Sequence, residues 1–245
     1  MRVRLMLTCL CDAFYGEVGI AAVRVLEHAG CTVEFDQRSQ TCCGQPPFNA
    51  GDWTAAREIA GRTRLLFSGE TPVVTPSGSC AAMIRHGYTM LFPNSEATSC
   101  FELCEFLVDV LGVTKWPLGG SYSLPGRKIA LHRACHHRSL ACAPATASAH
   151  PNAQELLLSS MLGVELQTFA DPEQCCGFGG AFAATHGKIS SEIGLEKLRK
   201  VAASGAELLV SGDMGCLMHL NGLIERERLD LRTAHIAEVL AEPLG

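Results

Sequence analysis

The stretch TCCGQPPFNAG, residues 41–51, places two cysteines side by side and follows them with a glycine. Adjacent cysteines suit a packed core poorly, because neighbouring side chains point to opposite faces of a strand and lie about a hundred degrees apart on a helix. The chain nevertheless repeats this triplet in QCCGFGGAF, residues 174–182. The repetition indicates two related sites, each built around an adjacent pair of thiols.

The similarity between the two halves extends beyond the triplets. RVRLMLTC at 2–9 corresponds to KIALHRAC at 128–135, and VVTPSGSC at 73–80 corresponds to LVSGDMGC at 209–216. Each of these stretches is an apolar run that ends at or just before a cysteine. Both halves therefore carry their cysteines in the same order: one single, an adjacent pair, one single. The sequence predicts an internal duplication.

Short apolar runs alternate with helical patterns in both halves, which predicts an α/β fold of two tandem pseudo-symmetric repeats, each a small, mostly parallel sheet flanked by helices. We expect a first repeat over 1–111, a Gly-, Pro- and Ser-rich linker over 112–127 and a second repeat over 128–245. The expected strands are 2–8, 32–36, 72–75, 128–132, 164–169 and 207–210. The expected helices are 16–29, 53–67, 80–91, 97–111, 153–162, 187–203 and 216–228.

The composition is that of a globular protein, with 47% hydrophobic and 18% charged residues. A net charge of −5 without a run of Lys or Arg argues against nucleic acid as a partner. No apolar run is long enough to span a membrane, and Asp12 interrupts the apolar N-terminus early, so we interpret residues 2–8 as a buried strand and expect a cytoplasmic protein. Thirteen cysteines in such a chain are expected to be reduced thiols used for metal or redox chemistry.

The repeated cysteines fall at or beside the carboxyl ends of predicted parallel strands, where α/β proteins bind their ligands. Four thiolates brought together repel one another unless a cation neutralises them, and thiolates select iron–sulfur clusters or zinc. An adjacent pair favours a cluster, because neighbouring thiolates can bind different irons, and zinc remains the alternative metal. The candidate ligands are Cys9, Cys42, Cys43, Cys80, Cys135, Cys175, Cys176 and Cys216.

Five motifs carry a resemblance to known proteins: TC at 8–9, CCGQP at 42–46, SGSC at 77–80, CCGFGG at 175–180 and HIAEVL at 235–240. They resemble the CCG cysteine-rich domain, which occurs in pairs in one subunit of heterodisulfide reductase and in the iron–sulfur subunit of glycolate oxidase. Over almost the whole chain the sequence is similar to the lactate utilization protein A family. The resemblance implies an iron–sulfur subunit that works with sister iron–sulfur and accessory subunits to oxidise L-lactate to pyruvate.

The chain departs from the heterodisulfide reductase pattern at the end of each repeat. There the motif is Cys-x-x-Cys, whereas this chain has Met83 in CAAM and His219 in CLMH. Four cysteines per half remain, which is enough for two conventional [4Fe–4S] clusters. His219 is a possible additional ligand, and so is His136, which follows Cys135. Two other functions stay open: a zinc-binding structural or assembly subunit, and a thiol–disulfide redox protein in which the adjacent cysteines form disulfides.

The remaining cysteines lie outside the repeated pattern. Cys100 and Cys104 share a stripe of a predicted helix with apolar residues, which indicates core packing, and Cys31 is also expected in the core. Cys11 lies close enough to Cys9 in sequence to reach the same site. Cys142 lies in a predicted loop, and the sequence gives no role for it.

Other polar residues near the cysteines are weaker candidates. His132 and His137 flank Cys135 and could donate a hydrogen bond to cluster sulfur. Arg138 could offset cluster charge or bind a substrate carboxylate. His235 is expected to pack against, or cap, the final helix. No residue is identified as an acid or base acting on a 2-hydroxy acid.

Overall fold

The structure, a computed structural model, describes residues 1–94, 98–117, 123–136 and 152–244, with 39 and 123–126 described by their backbone only. It contains two four-stranded sheets in which every strand pair is parallel. The first has the order β2-β1-β3-β4 and the second the corresponding order β6-β5-β7-β8. The strands are β1 Arg2–Leu5, β2 Thr32–Glu34, β3 Val73–Thr75, β4 Cys100–Glu102, β5 Ser123–Leu131, β6 Leu162–Leu166, β7 Leu208–Ser211 and β8 Arg232–His235.

Helices flank both sheets, so the prediction of two parallel α/β repeats is confirmed. The helices are α1 Cys9–Phe14, α2 Gly16–His28, α3 Gln45–Asn49, α4 Trp53–Leu66, α5 Gly78–Ala82, α6 Tyr88–Leu91, α7 Leu103–Glu105, α8 Ala153–Ser160, α9 Ala181–Thr185, α10 Gly187–Ala203, α11 Met214–Glu227 and α12 Ile236–Ala241. Two π-helical segments, Met83–Gly87 and Phe106–Val110, continue α5 and α7, and 3₁₀ turns occur at Gln37–Ser39 and Glu242–Leu244.

The prediction of one helix over 97–111 is wrong. Cys100–Glu102 forms β4, and helical structure begins only at Leu103, where the Glu102 side chain accepts hydrogen bonds from the N–H groups of Cys104 and Glu105. The shared helical stripe of Cys100 and Cys104 therefore does not exist. Both side chains are buried, as expected, but in different apolar clusters.

The second half has an equivalent edge strand, β8, that the sequence analysis also missed. His235 at its end caps α12, accepting a hydrogen bond from the Ala237 N–H at 3.1 Å, and the side chain is fully buried. The capping role expected for this histidine is confirmed. Strand β5 begins at Ser123, inside the stretch expected to be a linker.

The two halves share an apolar core. Residues of α2 in the first half, including Val25 and Leu26, belong to the same buried cluster as Ile236 and Leu240 of α12 in the second half. Trp116, which follows the first repeat, is 2% exposed, and its indole N–H donates to the Leu240 carbonyl at 2.7 Å. Burial of this much common apolar surface fixes the position of one sheet relative to the other.

A separate apolar cluster lies on the other side of each sheet. The first contains Cys43 and Cys80, and the second contains Cys176 and Cys216. In each half, therefore, the second cysteine of the adjacent pair and the later single cysteine belong to this apolar cluster. Within the described ranges, no helix combines the length and the apolar character needed to cross a bilayer.

Candidate metal centre

In the first half, each single cysteine follows one of two neighbouring strands, and both lie at the same edge of the sheet. The chain leaves β1 through Thr8, whose hydroxyl caps α1, and Cys9 is the first residue of that helix. It leaves β3 through Ser77, whose hydroxyl caps α5, and Cys80 lies in the first turn. The strand order reverses between β1 and β3, and such a switch point leaves a crevice beyond the carboxyl ends of the strands.

The second half delivers its single cysteines in the same way. Cys135 lies four positions beyond the end of β5, and Cys216 lies in the first turn of α11, directly beyond β7. The two strands are neighbours in the second sheet, as β1 and β3 are in the first. The single cysteines of the two halves therefore occupy equivalent positions in the two sheets.

The Cys-Cys-Gly loops need their glycines for conformational reasons. Gly44 has φ +84° and Gly177 has φ +91°, in the left-handed region that favours glycine. The N–H of Gly44 donates to the sulfur of Cys42 at 3.4 Å, and the N–H of Gly177 donates to the sulfur of Cys175 at 3.3 Å. Each loop thus curls its backbone around one of its own sulfurs.

The four thiols of the first half form a connected chain. The sulfurs of Cys9 and Cys42 are 3.8 Å apart, Cys42 contacts Cys43, and Cys43 contacts Cys80. The pKa of Cys42 is lowered to about 3, because the thiols of Cys43 and Cys9 and the Gly44 N–H all stabilise its thiolate. The pKa values of Cys9 and Cys43 are raised, mainly by their hydrogen bonds to Cys42.

The second half repeats this chain in the same order, from Cys135 through Cys175 and Cys176 to Cys216. The pKa of Cys175 is lowered to about 2 by hydrogen bonds from Cys135 and then Cys176, as well as from the Gly177 N–H. The pKa values of Cys135 and Cys176 are raised, primarily by their contact with Cys175. In each half, therefore, one cysteine has a pKa low enough to be a thiolate at neutral pH, and three other cysteines lie close to it.

Both sets of thiols face the same cavity. A cavity of about 320 Å³ is lined by the eight repeated cysteines. Its other lining residues include Gln45, Ser77, His136, Phe178 and Asp213, which come from both halves. The sequence predicted four thiols at one end of each sheet but did not indicate that the two ends meet.

Hydrogen bonds between the halves hold this cavity together. The carboxylate of Asp213 accepts the N–H of Ser79 at 2.8 Å, so the residue that precedes α11 caps α5 of the other half. The N–H of Gly78 donates to the carbonyl of Gly212 at 3.3 Å. Across the opening, the side-chain nitrogens of Gln45 and His136 are 3.3 Å apart.

Comparison with known proteins bears directly on this duplicated arrangement. Residues 3–85 and 129–221 each match the profile described as the CCG cysteine-rich domain. The chain is 35% identical over 255 aligned positions to lactate utilization protein A 2 of Bacillus cereus (strain Q1), with all of both chains covered. The chain belongs to the lactate utilization protein A family.

Two further relatives give the same result. Lactate utilization protein A 1 of Bacillus anthracis (strain CDC 684 / NRRL 3495) is 35% identical over the whole of both chains. Lactate utilization protein A of Oceanobacillus iheyensis is 38% identical over 249 positions, which cover 98% of this chain and 96% of that protein. The resemblance read from the cysteine motifs is therefore confirmed at the level of the family.

The residues around each thiol set fit a metal cluster of the kind that the family resemblance implies. The donors are four thiols per half, which iron–sulfur clusters use and hard cations avoid. Backbone N–H groups already point at the sulfurs, including that of Phe178, which donates to Cys176 at 3.4 Å. A Cβ on Gly177 would lie 2.3 Å from the carbonyl oxygen of Ser190, so the loop can pass this close only as glycine.

The two histidines considered as additional ligands are placed differently. His136 lines the cavity, with its Nδ1 atom 3.6 Å from the sulfur of Cys135. His219 lies behind the loop of the second half, where its Nε2 atom is 3.3 Å from the carbonyl oxygen of Ser190. It lines a separate shallow groove rather than the cavity. Burial lowers its pKa.

His132, which the sequence identified only as a weaker candidate, lies beside two cysteines of the second set. The side chain of His132 is buried, and its ring nitrogen and the sulfurs of Cys176 and Cys216 all lie within 4.8 Å of one another. The corresponding residue three positions before Cys9 is Met6. Because the repeat offers no histidine to match, the comparison of halves could not single out His132.

The cysteines outside the repeat are structural where the structure describes them. Cys11, Cys31 and Cys104 lie in the shared core, and Cys100 lies in the first-half cluster. Cys11 does not line the cavity, and burial raises its pKa to about 12. Cys142, and with it His137 and Arg138, falls outside the described residues.

Proposed function

We propose that this protein is a cytoplasmic iron–sulfur electron-transfer subunit of a system that oxidises L-lactate to pyruvate. The observation that carries the proposal is the cavity lined by all eight repeated cysteines. Two sets of thiols that face one space suit two electron carriers placed close together. The link to lactate rests on the relatives, which are named lactate utilization proteins.

The chain's own residues would hold one cluster in each half. Cys9, Cys42, Cys43 and Cys80 are the ligands in the first half, and the second set is Cys135, Cys175, Cys176 and Cys216. When bound, a [4Fe–4S] cluster supplies a one-electron carrier. Backbone N–H groups directed at sulfur, such as those of Gly44 and Gly177, stabilise added negative charge there.

The oxidation of a 2-hydroxy acid to a 2-oxo acid releases two electrons and two protons. Two one-electron carriers match that electron count. Among the described residues that line the cavity there is no Lys or Arg to bind a substrate carboxylate. Arg138, the candidate for binding a substrate carboxylate, lies outside the described residues. On the family resemblance, which implies sister subunits, lactate is oxidised with such a subunit, and this chain receives the electrons and passes them on.

A zinc-binding structural role is the second candidate. It is favoured by one observation: His132, Cys176 and Cys216 form a buried group of mixed nitrogen and sulfur donors, which zinc accepts. The first half has no described counterpart to this histidine. Zinc would thus suit the second half better than the first.

A reductive titration separates these candidates and the thiol–disulfide alternative. Protein purified without oxygen is titrated with dithionite and followed by visible absorbance and electron paramagnetic resonance. Two clusters would take up about two electrons per chain and give a paramagnetic signal. A zinc protein would take up none. A disulfide protein would take up electrons without a paramagnetic signal and would gain free thiols, and either of these results would contradict the proposal.

The connection to lactate is tested in cells. A strain that lacks this chain is expected to lose growth on L-lactate and to keep growth on pyruvate. The wild-type chain should restore growth, and Cys43→Ala should not. The matched control is Cys104→Ala, which removes a thiol buried in the shared core. Normal growth of the deletion strain on lactate would separate the chain from lactate oxidation.

The sister subunits are tested by purification from the same cells. A tagged wild-type chain purified without oxygen is expected to retain further iron–sulfur and accessory proteins, and these together should reduce an artificial acceptor when lactate is added. Recovery of the chain alone, with lactate-dependent reduction unchanged by its removal, would contradict the assignment as a subunit.

A further inference from the structure

A buried lysine stands behind the second set of thiols. Lys197 on α10 is fully buried, and its ammonium donates to the carbonyl oxygens of Pro172 at 3.0 Å and Gln174 at 2.9 Å. These carbonyls belong to the segment that leads into Cys175. The ammonium also lies 5.1 Å from the centre of the Phe169 ring.

This charge has no carboxylate partner among the described residues. The acidic side chains near it, Asp171 and Glu196, pair with Lys200 instead, at 2.7 and 3.1 Å. A buried ammonium without a counter-charge is costly. The groups that favour the charged form of Lys197 are Cys176, Cys216 and Cys175, and Asp171 also interacts with its charge. Burial lowers the pKa of Lys197 only to about 8, so its ammonium remains charged at neutral pH.

In the first half, the side chains that hydrogen-bond to the carbonyls of the Cys-Cys-Gly loop are neutral. The buried hydroxyl of Thr63 on α4 donates to the carbonyl of Cys42 at 2.9 Å, and the buried hydroxyl of Tyr88 donates to the carbonyl of Cys43 at 3.0 Å. Arg85, a buried cation of that half, forms an ion pair with Glu105 at 2.6 Å and so adds no net charge. The part-buried guanidinium of Arg4 donates to the carbonyl oxygens of Leu66, Phe67 and Thr71.

The carboxylate of Asp213 acts on Cys135 and Cys216 of the second set, so the second site has an anion as well as a cation beside it. In the first half Asp213 acts on Cys11, which lies outside the site.

We propose that Lys197 tunes the second site, by stabilising the extra negative charge that a cluster held by Cys135, Cys175, Cys176 and Cys216 acquires on reduction. This rests on the proposed function, since it requires a cluster at that site. Reduction adds one electron, supplied by the reductant, and makes the cluster one charge more negative. A fixed ammonium in a poorly polarisable interior lowers the energy of that state. Thr63 offers the first site no such charge.

The test is a redox titration of the full chain, purified without oxygen and followed by electron paramagnetic resonance. Lys197→Gln keeps a donor for the loop carbonyls but removes the charge, and Lys197→Arg keeps the charge. Lys200→Met is the matched control, because it removes a cation from the same helix that is already paired with carboxylates. Iron and sulfide are measured on every variant.

For Lys197→Gln, we expect the equilibrium constant for reduction to fall about tenfold or more at one of two clusters, which is a shift of about 59 mV or more for one electron. The other potential should not move, and Lys197→Arg and Lys200→Met should match the wild type. If Lys197→Gln loses iron and Lys197→Arg retains it, the charge is needed for loading, which also supports the proposal.

Two results would overturn the inference. One is a fully loaded Lys197→Gln protein with both potentials unchanged. The other is loss of iron from Lys197→Gln and Lys197→Arg alike, which would make Lys197 a residue of the fold only. Absence of iron and sulfide from the wild-type protein would instead contradict the proposed function, so the two failures are distinguishable.

Discussion

Each half contains four thiols at equivalent positions, but the residues packed behind those thiols differ between the halves. Met6 and Thr63 lie behind the first set, where the second half has His132 and Lys197. Under the proposed function the thiols are constrained by the chemistry of the metal, whereas the residues behind them need only fill space and satisfy the loop carbonyls. A duplication of this kind can therefore keep two equivalent sets of thiols and still give them different electrostatic surroundings.

The loops differ in how much room their glycines have. At Gly177 a Cβ would meet the Ser190 carbonyl oxygen at 2.3 Å, whereas at Gly44 the nearest atom would be the Ala56 carbonyl oxygen at 3.3 Å. The helix caps differ as well. Ser77 caps its own helix, and Asp213 caps the helix of the opposite half. The second loop is thus the more tightly packed, and the first site depends on a residue from the second half.

The largest effects should come from removing the buried thiol of each adjacent pair. Cys43→Ala and Cys176→Ala are each expected to lower the iron content by about half, because each cysteine belongs to only one chain of thiols. Cys104→Ala should leave the iron content unchanged. Loss of all the iron from either single variant would show that the eight thiols hold one shared centre, and would remove the basis for comparing two sites.

The glycine comparison is tested by Gly44→Ala and Gly177→Ala. Both introduce strain at a positive φ, which costs about 1–3 kcal/mol, and Gly177→Ala adds a clash with backbone, so we expect its total cost to exceed about 3 kcal/mol. Urea unfolding measures the difference in the free energy of unfolding. Equal losses of stability would show that the second loop can move away from Ser190 and is no more constrained than the first.

A pH effect is expected at the first edge strand. Glu102 is buried between the halves, and burial raises its pKa to about 7 although Gln154 donates to it. The folded state therefore binds this proton more tightly than the unfolded chain, so the free energy of unfolding falls as pH rises from about 4.5 through 7.

Between pH 5 and 8 this group should lower the stability by about 2 kcal/mol. Glu102→Gln should remove that part of the pH dependence, as measured by urea unfolding at several pH values. The same slope in both proteins would assign the effect to other groups.

The smallest predicted effect concerns capping across the halves. Asp213→Ala should cost about 1 kcal/mol by removing the acceptor for the Ser79 N–H, and Ser77→Ala should cost a similar amount at the same helix. Because both caps act on α5, the double variant should show whether their effects are coupled. Unchanged stability in Asp213→Ala would mean that water replaces this contact and that the first site does not depend on it.

Much of the fold could be predicted because its signals are local. The helix expected over 187–203 is α10 with the same bounds, and six strands were expected close to where they occur. The edge strands β4 and β8 were missed although they are no shorter than β2 and β3. Strand β4 runs directly into α7, so its cysteine fell on an apparent helical stripe, and β8, with the sequence RTAH, has no apolar run to mark it.

The candidate site, like the fold, could be predicted only where its signals are local. The eight cysteines could be identified because they repeat in order, and the chemistry of clustered thiols follows from residue type alone. Their meeting in one cavity depends on the packing of α2 against α12, which no local pattern encodes. The burial of Lys197 could not be predicted from the sequence either, since a lysine on a helix of mixed polarity is ordinarily exposed.

The most direct test of the central claim is the content of iron, acid-labile sulfide and zinc per chain in protein purified without oxygen. We expect about eight irons and eight sulfides, the inventory of two [4Fe–4S] clusters. Zinc without sulfide would contradict the account and leave the eight thiols as the ligands of a structural metal.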